Sequence, residues 1–107
     1  MKKHIKSAIV NNLSRSRYTV PSQIAVIYFL QGEVTGMIKI SHCRNLQANI
    51  QASKQFCSEE LTLLGKVNGS LADCNELHQQ FAHLRAHDDW FHSDVELLEF
   101  AKSFSER

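Results

Sequence analysis

Two sets of side chains in this 107-residue chain carry types that do chemistry. The first is cationic. Arg15, Arg17 and Arg44, with Tyr18 close to the first two, are the types that grip phosphate through charge-assisted hydrogen bonds. The second set runs from Asp73 to His92 and supplies a thiol, imidazoles and carboxylates: Cys74, His78, His83, His87, Asp89 and His92. Its spacings form no recognised zinc pattern, so these residues are expected in structural or surface roles, with no metal site and no cofactor. Cys74 falls on an apolar stripe with Leu71, Leu77 and Phe81 and reads as a small buried hydrophobe. Glu76, two helical positions on, is turned about 200° from it. Tyr28 sits inside an apolar run, where a tyrosine with its hydroxyl satisfied by a neighbour is an ordinary core residue.

Charge is distributed unevenly along the chain. Residues 1–44 hold seven Lys and Arg against Glu33 alone, a net +6, whereas residues 45–107 hold five against ten acids, a net −5. A phosphate-binding arm joined to an acidic protein-contact face would look like this, and so would two solvated halves. Hydrophobic residues at 43% and charged residues at 21% are the composition of an ordinary globular domain. The longest apolar runs, Ile24 to Leu30 and Leu61 to Leu64, are strand-sized and predict no membrane span. Lys2, Lys3 and Lys6 before Ala8-Ile9-Val10 resemble the start of a signal peptide, but Asn11 and Asn12 end the run early, so a cytoplasmic location is expected. Cys43, Cys57 and Cys74 are an odd number without a CxxC spacing and predict free thiols.

The elements that must position these groups follow from periodicity and turn chemistry. Residues 1–22 read as a basic N-terminal extension: Ile5, Ile9 and Leu13 predict a short helix, and residues 14–22, with Pro21, a linker. Residues 23–107 form the domain. Ile24 to Gln31 and Met37 to Ser41 are strands joined by a hairpin through Gly32 to Gly36. Asn45 caps a helix reaching about Gln55, with Leu46 and Ile50 facing inward. Leu61 to Val67 is a third strand, closed by Asn68-Gly69. Ser70 and Asp73 form a capping box opening a helix whose stripe runs through Leu84, and Ala86 to Phe91 breaks it. Ser93 and Glu96 open a last helix with Leu97, Leu98, Ala101 and Phe104 inward. The expectation is an α+β fold: a small three-stranded sheet, antiparallel or mixed, flanked by helices.

Several short motifs in this order resemble the GIY-YIG nuclease superfamily, and in particular a compact branch associated with phages and bacteria. The likeness covers roughly Ile24 to Phe100. Tyr28-Phe29-Leu30-Gln31 is similar to the branch's first strand and Ile38-Lys39-Ile40-Ser41 to its second. Arg44-Asn45-Leu46 resembles the opening of its first helix. Leu77-His78, Phe81 and Arg85 resemble its leucine-histidine, phenylalanine, arginine series. Asp88-Asp89-Trp90-Phe91 is similar to its glycine-glutamate-tryptophan-phenylalanine signature. The resemblance implies a GIY-YIG-like fold and phosphodiester hydrolysis, with a strand tyrosine at or near the general base, a helix arginine stabilising phosphate charge, and a helix glutamate holding one divalent metal such as Mg²⁺. Only the tyrosine, Tyr28, is matched. Lys39 stands at the second motif's tyrosine, Ser41 at its glycine, Asn49 at the catalytic arginine and Cys74 at the metal-binding glutamate. A thiol is a poor Mg²⁺ ligand.

The resemblance therefore implies a catalytically impaired GIY-YIG-like domain that binds DNA or RNA through Lys39, Arg44, Arg15 and Arg17, with steep salt dependence and little sequence preference. His78, Arg85 and Trp90 are expected to be structural motif residues, Trp90 anchoring its loop or serving as an interface hot spot. A second expectation is a protein-interaction module, an inhibitor or regulator of a nucleic-acid enzyme from a mobile element. A third is an active metal-dependent nuclease in which Asp73 or Glu76, with Arg44 or Lys39, converges on Tyr28.

Overall fold

The computed structural model describes residues 25–105. The helix and linker expected within residues 1–22, with Arg15 and Arg17, lie outside the described residues. The fold is α+β, and every strand pairing is antiparallel. In chain order the elements are β1 (Val26–Gly32), β2 (Ile38–Cys43), α1 (Leu46–Phe56), β3 (Leu61–Asn68), α2 (Leu71–Gln80), a 3₁₀ turn (Ala82–Leu84), β4 (Arg85–His87), β5 (Trp90–Phe91) and α3 (Val95–Lys102).

The sheet has five strands in the order β3-β1-β2-β5-β4, not the three that periodicity predicts. The added strands are three and two residues long, too short for an alternation pattern to register. They form a hairpin whose turn begins at Asp88, at φ 48°, a left-handed backbone that aspartate tolerates better than most residues. Arg85 Nε donates to the Asp88 carbonyl at 2.8 Å and holds the turn. The expected run of α2 through Leu84 is corrected as well: helix gives way to the 3₁₀ turn, and the stripe residues Phe81 and Leu84 still pack inward. Ser70 and Asp73 make both bonds of the capping box. At α3 the cap is Asp94, whose carboxylate accepts from Glu96 N–H, rather than Ser93.

Alternation along β1 divides the interior in two. Ile27 and Phe29, with Ile38 and Ile40 of β2, face α2 and α3, where Cys74, Leu77, Phe81, Leu97, Phe100 and Ala101 close the main core. Phe29, Phe100 and Phe104 meet there as stacked and edge-to-face rings 5.1–5.9 Å apart. Tyr28 and Leu30 face the other way, with Cys43 and Leu61, beneath α1. That second layer is thinner and more polar. Leu46 and Ile50 of α1 pack on it half-buried, and the one buried side chain of the helix is Ser53.

The β1–β2 turn is pinned from outside the hairpin. Glu59 accepts from Val34 N–H at 2.7 Å, Thr35 N–H at 2.9 Å and the Thr35 hydroxyl at 2.8 Å. The Thr35 backbone and hydroxyl bonds, then the Val34 bond, hold its carboxyl below the ordinary range. A carboxyl depressed in the folded state stabilises above its unfolded pKa, about 4.3 for Glu, and that contribution is lost as pH falls through the folded value. Urea midpoints measured from pH 7 to pH 3 are therefore expected to fall less steeply for Glu59→Ala than for the wild type. Parallel curves would remove Glu59 from the acid response.

Candidate functional site

The polar groups on the α1 side of the sheet are brought together by register. Tyr28 stands directly opposite Ser41 on β2 and Lys66 on β3, so all three share one face. One row along that face, Lys39 pairs with Leu30 on one side and Trp90 on the other. Above them lies α1, begun at Asn45, whose side chain accepts from Ala48 N–H at 3.1 Å. Residues four apart on a helix share a face, which turns both Asn49 and Ser53 towards the sheet. Asn49 is half-buried, and its amide donates back to the Asn45 carbonyl at 2.9 Å.

Ser53 is the hub of this layer. It accepts from Lys39 Nζ at 2.9 Å, and the Tyr28 phenol hydrogen-bonds to Ser53 and Ser41. Tyr28 is 1% exposed. Burial pushes its phenol above the ordinary value against the opposing pull of those two bonds, with smaller upward pushes from Cys43 and Asp89. A neutral, buried phenol engaged by two serines is poorly placed to take a proton from water or a sugar hydroxyl. Lys39, expected as a phosphate contact, is half-buried with its ammonium on Ser53.

The second cluster lies at the junction of α2, β2 and the β4–β5 hairpin. β5 begins only at Trp90, opposite Lys39, and Ile40 of β2 is satisfied beyond that end by other means: its N–H donates to the Asp89 carbonyl at 2.9 Å, and its carbonyl accepts from His78 Nε2–H at 2.7 Å. The His78 ring meets Phe91 edge-on at 5.0 Å, and the carboxylate of Asp89 is 4.0 Å from Nε2. His78 and the Asp89 turn thus staple the small hairpin to β2, a structural role in which Trp90 joins, packed half-buried beneath α1. Cys74 lies one turn before His78, with Sγ 3.8 Å from Nε2.

Cys74 is 2% exposed, and its thiol is pushed up to about 12 by burial and, secondarily, by the charge of Asp89. A neutral thiol beside an imidazole already committed to a carbonyl does not fit a hard divalent cation, which takes oxygen ligands. The carboxylates expected as substitutes are placed elsewhere: Asp73 is held by Ser70 in the capping box, and Glu76 is exposed on α2. No group of three or more His, Cys, Asp or Glu able to hold a metal is present among the described residues. Alkylation should order the three thiols by access: half-buried Cys57 reacts first, and Cys43 and Cys74 react only as fast as the fold opens. Peptide mapping after a timed pulse of iodoacetamide checks this, and early labelling of Cys74 would contradict its burial.

Sequence reasoning overlooked Ser53, the residue that links Tyr28 to Lys39. The signal was present in its position one turn after Asn49, the slot given by the resemblance to the catalytic arginine. It also overlooked the outer surface of α1. Gln47, Gln51, Lys54 and Gln55 are exposed there, with exposed Arg44 just before the helix. No Asp or Glu occurs anywhere from residue 34 to residue 58. Among the described residues no helix is long and apolar enough to cross a membrane. No protein-family model, curated protein or solved structure matches this chain.

Proposed function

We propose that this chain is a catalytically impaired GIY-YIG-like domain acting as a nucleic-acid-binding module, with the outer surface of α1 as its contact element. The observation that carries the proposal is that surface: a helix presenting amides, with Arg44 just before it and Lys54 in its last turn, inside a 25-residue stretch without a carboxylate. Arginine and lysine bind phosphate, and the absence of acids removes the repulsion a polyanion would otherwise meet. Loss of cleavage is supported by the neutral phenol of Tyr28, the thiol of Cys74 and the amide of Asn49. Each stands where the resemblance asks for a base, a metal ligand or a cation. The backbone at Asp88 is left-handed where the family signature has glycine, which favours the alignment.

The test is a titration of labelled duplex and single-stranded DNA with the full chain and Mg²⁺ or Mn²⁺, at two salt concentrations, scoring binding and cleavage together. Two phosphate contacts imply roughly a tenfold loss of affinity for a fourfold rise in salt. Binding of this kind without cleavage is the expected result. Cleavage that Tyr28→Phe abolishes would overturn the impaired site, and absence of binding to any nucleic acid would overturn the module.

One observation favours a protein-interaction module as the second reading. Residues 25–105 carry six Lys and Arg against ten Asp and Glu, and Glu76, Asp88, Asp94 and Glu99 are exposed. That reading predicts a stoichiometric complex with a protein partner and no retention of DNA.

A further inference from the structure

Basic residues alone give binding that is indifferent to sequence, and α1 carries something more. Gln47, Gln51 and Gln55 recur every four residues, so their side chains form a row on one face of the helix. All three are exposed, whereas Asn49, on the sheet-facing side, is tied to its own helix. From Gln47 to Gln55 the row rises about 12 Å, the length of three to four base-pair steps. Arg44 stands before it and Lys54 within its last turn. α1 lies on the outside of its layer and Ser53 is its one buried residue, which leaves its outer half clear of the sheet.

We propose that α1 is a base-reading helix for duplex DNA, entering the major groove with Gln47, Gln51 and Gln55 against base edges while Arg44 and Lys54 hold the flanking phosphates. The inference rests on the nucleic-acid-binding reading above and adds sequence preference to it. The chemistry is specific to the groove. A primary amide both donates and accepts, and so matches adenine, which offers N7 as acceptor and the N6 amino group as donor. The major groove of B-DNA, about 12 Å wide, admits an α-helix, whereas the deep, narrow major groove of A-form RNA does not. The partner is therefore double-stranded DNA with adenines spaced along a short site.

Selection of bound duplexes from a random-sequence pool by the full chain tests the idea. It is followed by affinities of a selected and a scrambled duplex for wild type, a Gln47→Ala/Gln51→Ala/Gln55→Ala variant and an Arg44→Ala/Lys54→Ala variant. Exposed Gln→Ala changes favour helix and leave the fold intact, which an unchanged melting temperature checks. The wild type is expected to prefer the selected site by about tenfold or more, the glutamine variant by no more than about twofold with its scrambled-site affinity retained. The arginine–lysine variant should weaken both duplexes alike and reduce the salt slope by about two. Selection that enriches no sequence, preference that survives in the glutamine variant, or a preference for RNA or single strands overturns the base-reading helix while leaving a nucleic-acid-binding module standing. Failure to bind any nucleic acid removes the underlying reading instead.

Discussion

Cys74→Glu is expected to be less stable than Cys74→Ala by about 3 kcal/mol or more, and the gap is expected to widen as pH rises. The substitution reinstates the residue type that the family resemblance places there. It does so at a position 2% exposed, among Ile40, Leu77 and Phe81 and within reach of the charge on Asp89. Burial and a like charge both favour the protonated acid, so the introduced carboxyl would have a raised pKa in the folded state. A group raised in the folded state contributes most below its unfolded pKa and loses that contribution as pH climbs through the folded value. Urea midpoints at pH 5 and pH 8 for both variants measure the effect. Equal stability at both pH values would mean that the side chain escapes to solvent, and the position would then be open to a metal after all. The outcome bears on function, because it separates a site lacking one ligand from a site packed shut.

The second large effect concerns Gly65 in β3. A methyl group there would collide with the Ala101 carbonyl oxygen and crowd Phe104, whose carbonyl carbon and Cβ lie 3.0 and 3.1 Å from the added atom. The collision is with backbone, which no rotamer change relieves. β3 is held to the C-terminal turn at this point, with Lys66 N–H donating to the Phe104 carbonyl at 3.3 Å. Gly65→Ala should therefore cost about 3 kcal/mol, at the upper end for overpacking, by prising α3 and the Phe29–Phe100–Phe104 cluster from the sheet. Thermal or urea unfolding checks this. A loss below about 0.5 kcal/mol would show that the C-terminal turn does not press on the strand in solution.

Both effects come from close approach of segments distant in sequence, and that marks where the sequence became unreadable. Local chemistry was legible. Asn45 and the Ser70–Asp73 pair cap their helices because a cap is a contact within four residues. β1, β2 and β3 appear within a few residues of their expected bounds because long alternating apolar runs are strong signals. Asp94 displaced Ser93 as a cap because two adjacent residues can both cap and the sequence does not rank them. β4 and β5 went unread because short strands exist only through partners: β5 is a strand because it lies against Ile38 and Lys39.

For the site the division is similar. Residue type and order settle which groups are present: a tyrosine on the first strand, a lysine on the second, an asparagine and a cysteine where the resemblance asks for arginine and glutamate, and a 25-residue stretch free of acids. What each group faces was settled by contacts between elements. Strand register set Tyr28 opposite Ser41, and helix docking brought Ser53 onto Lys39. Because β5 begins only at Trp90, the Ile40 carbonyl was left to His78. Burial moves the Tyr28 phenol and the Cys74 thiol further from ionisation than residue type alone would, in Tyr28 against the opposing pull of its two serine partners.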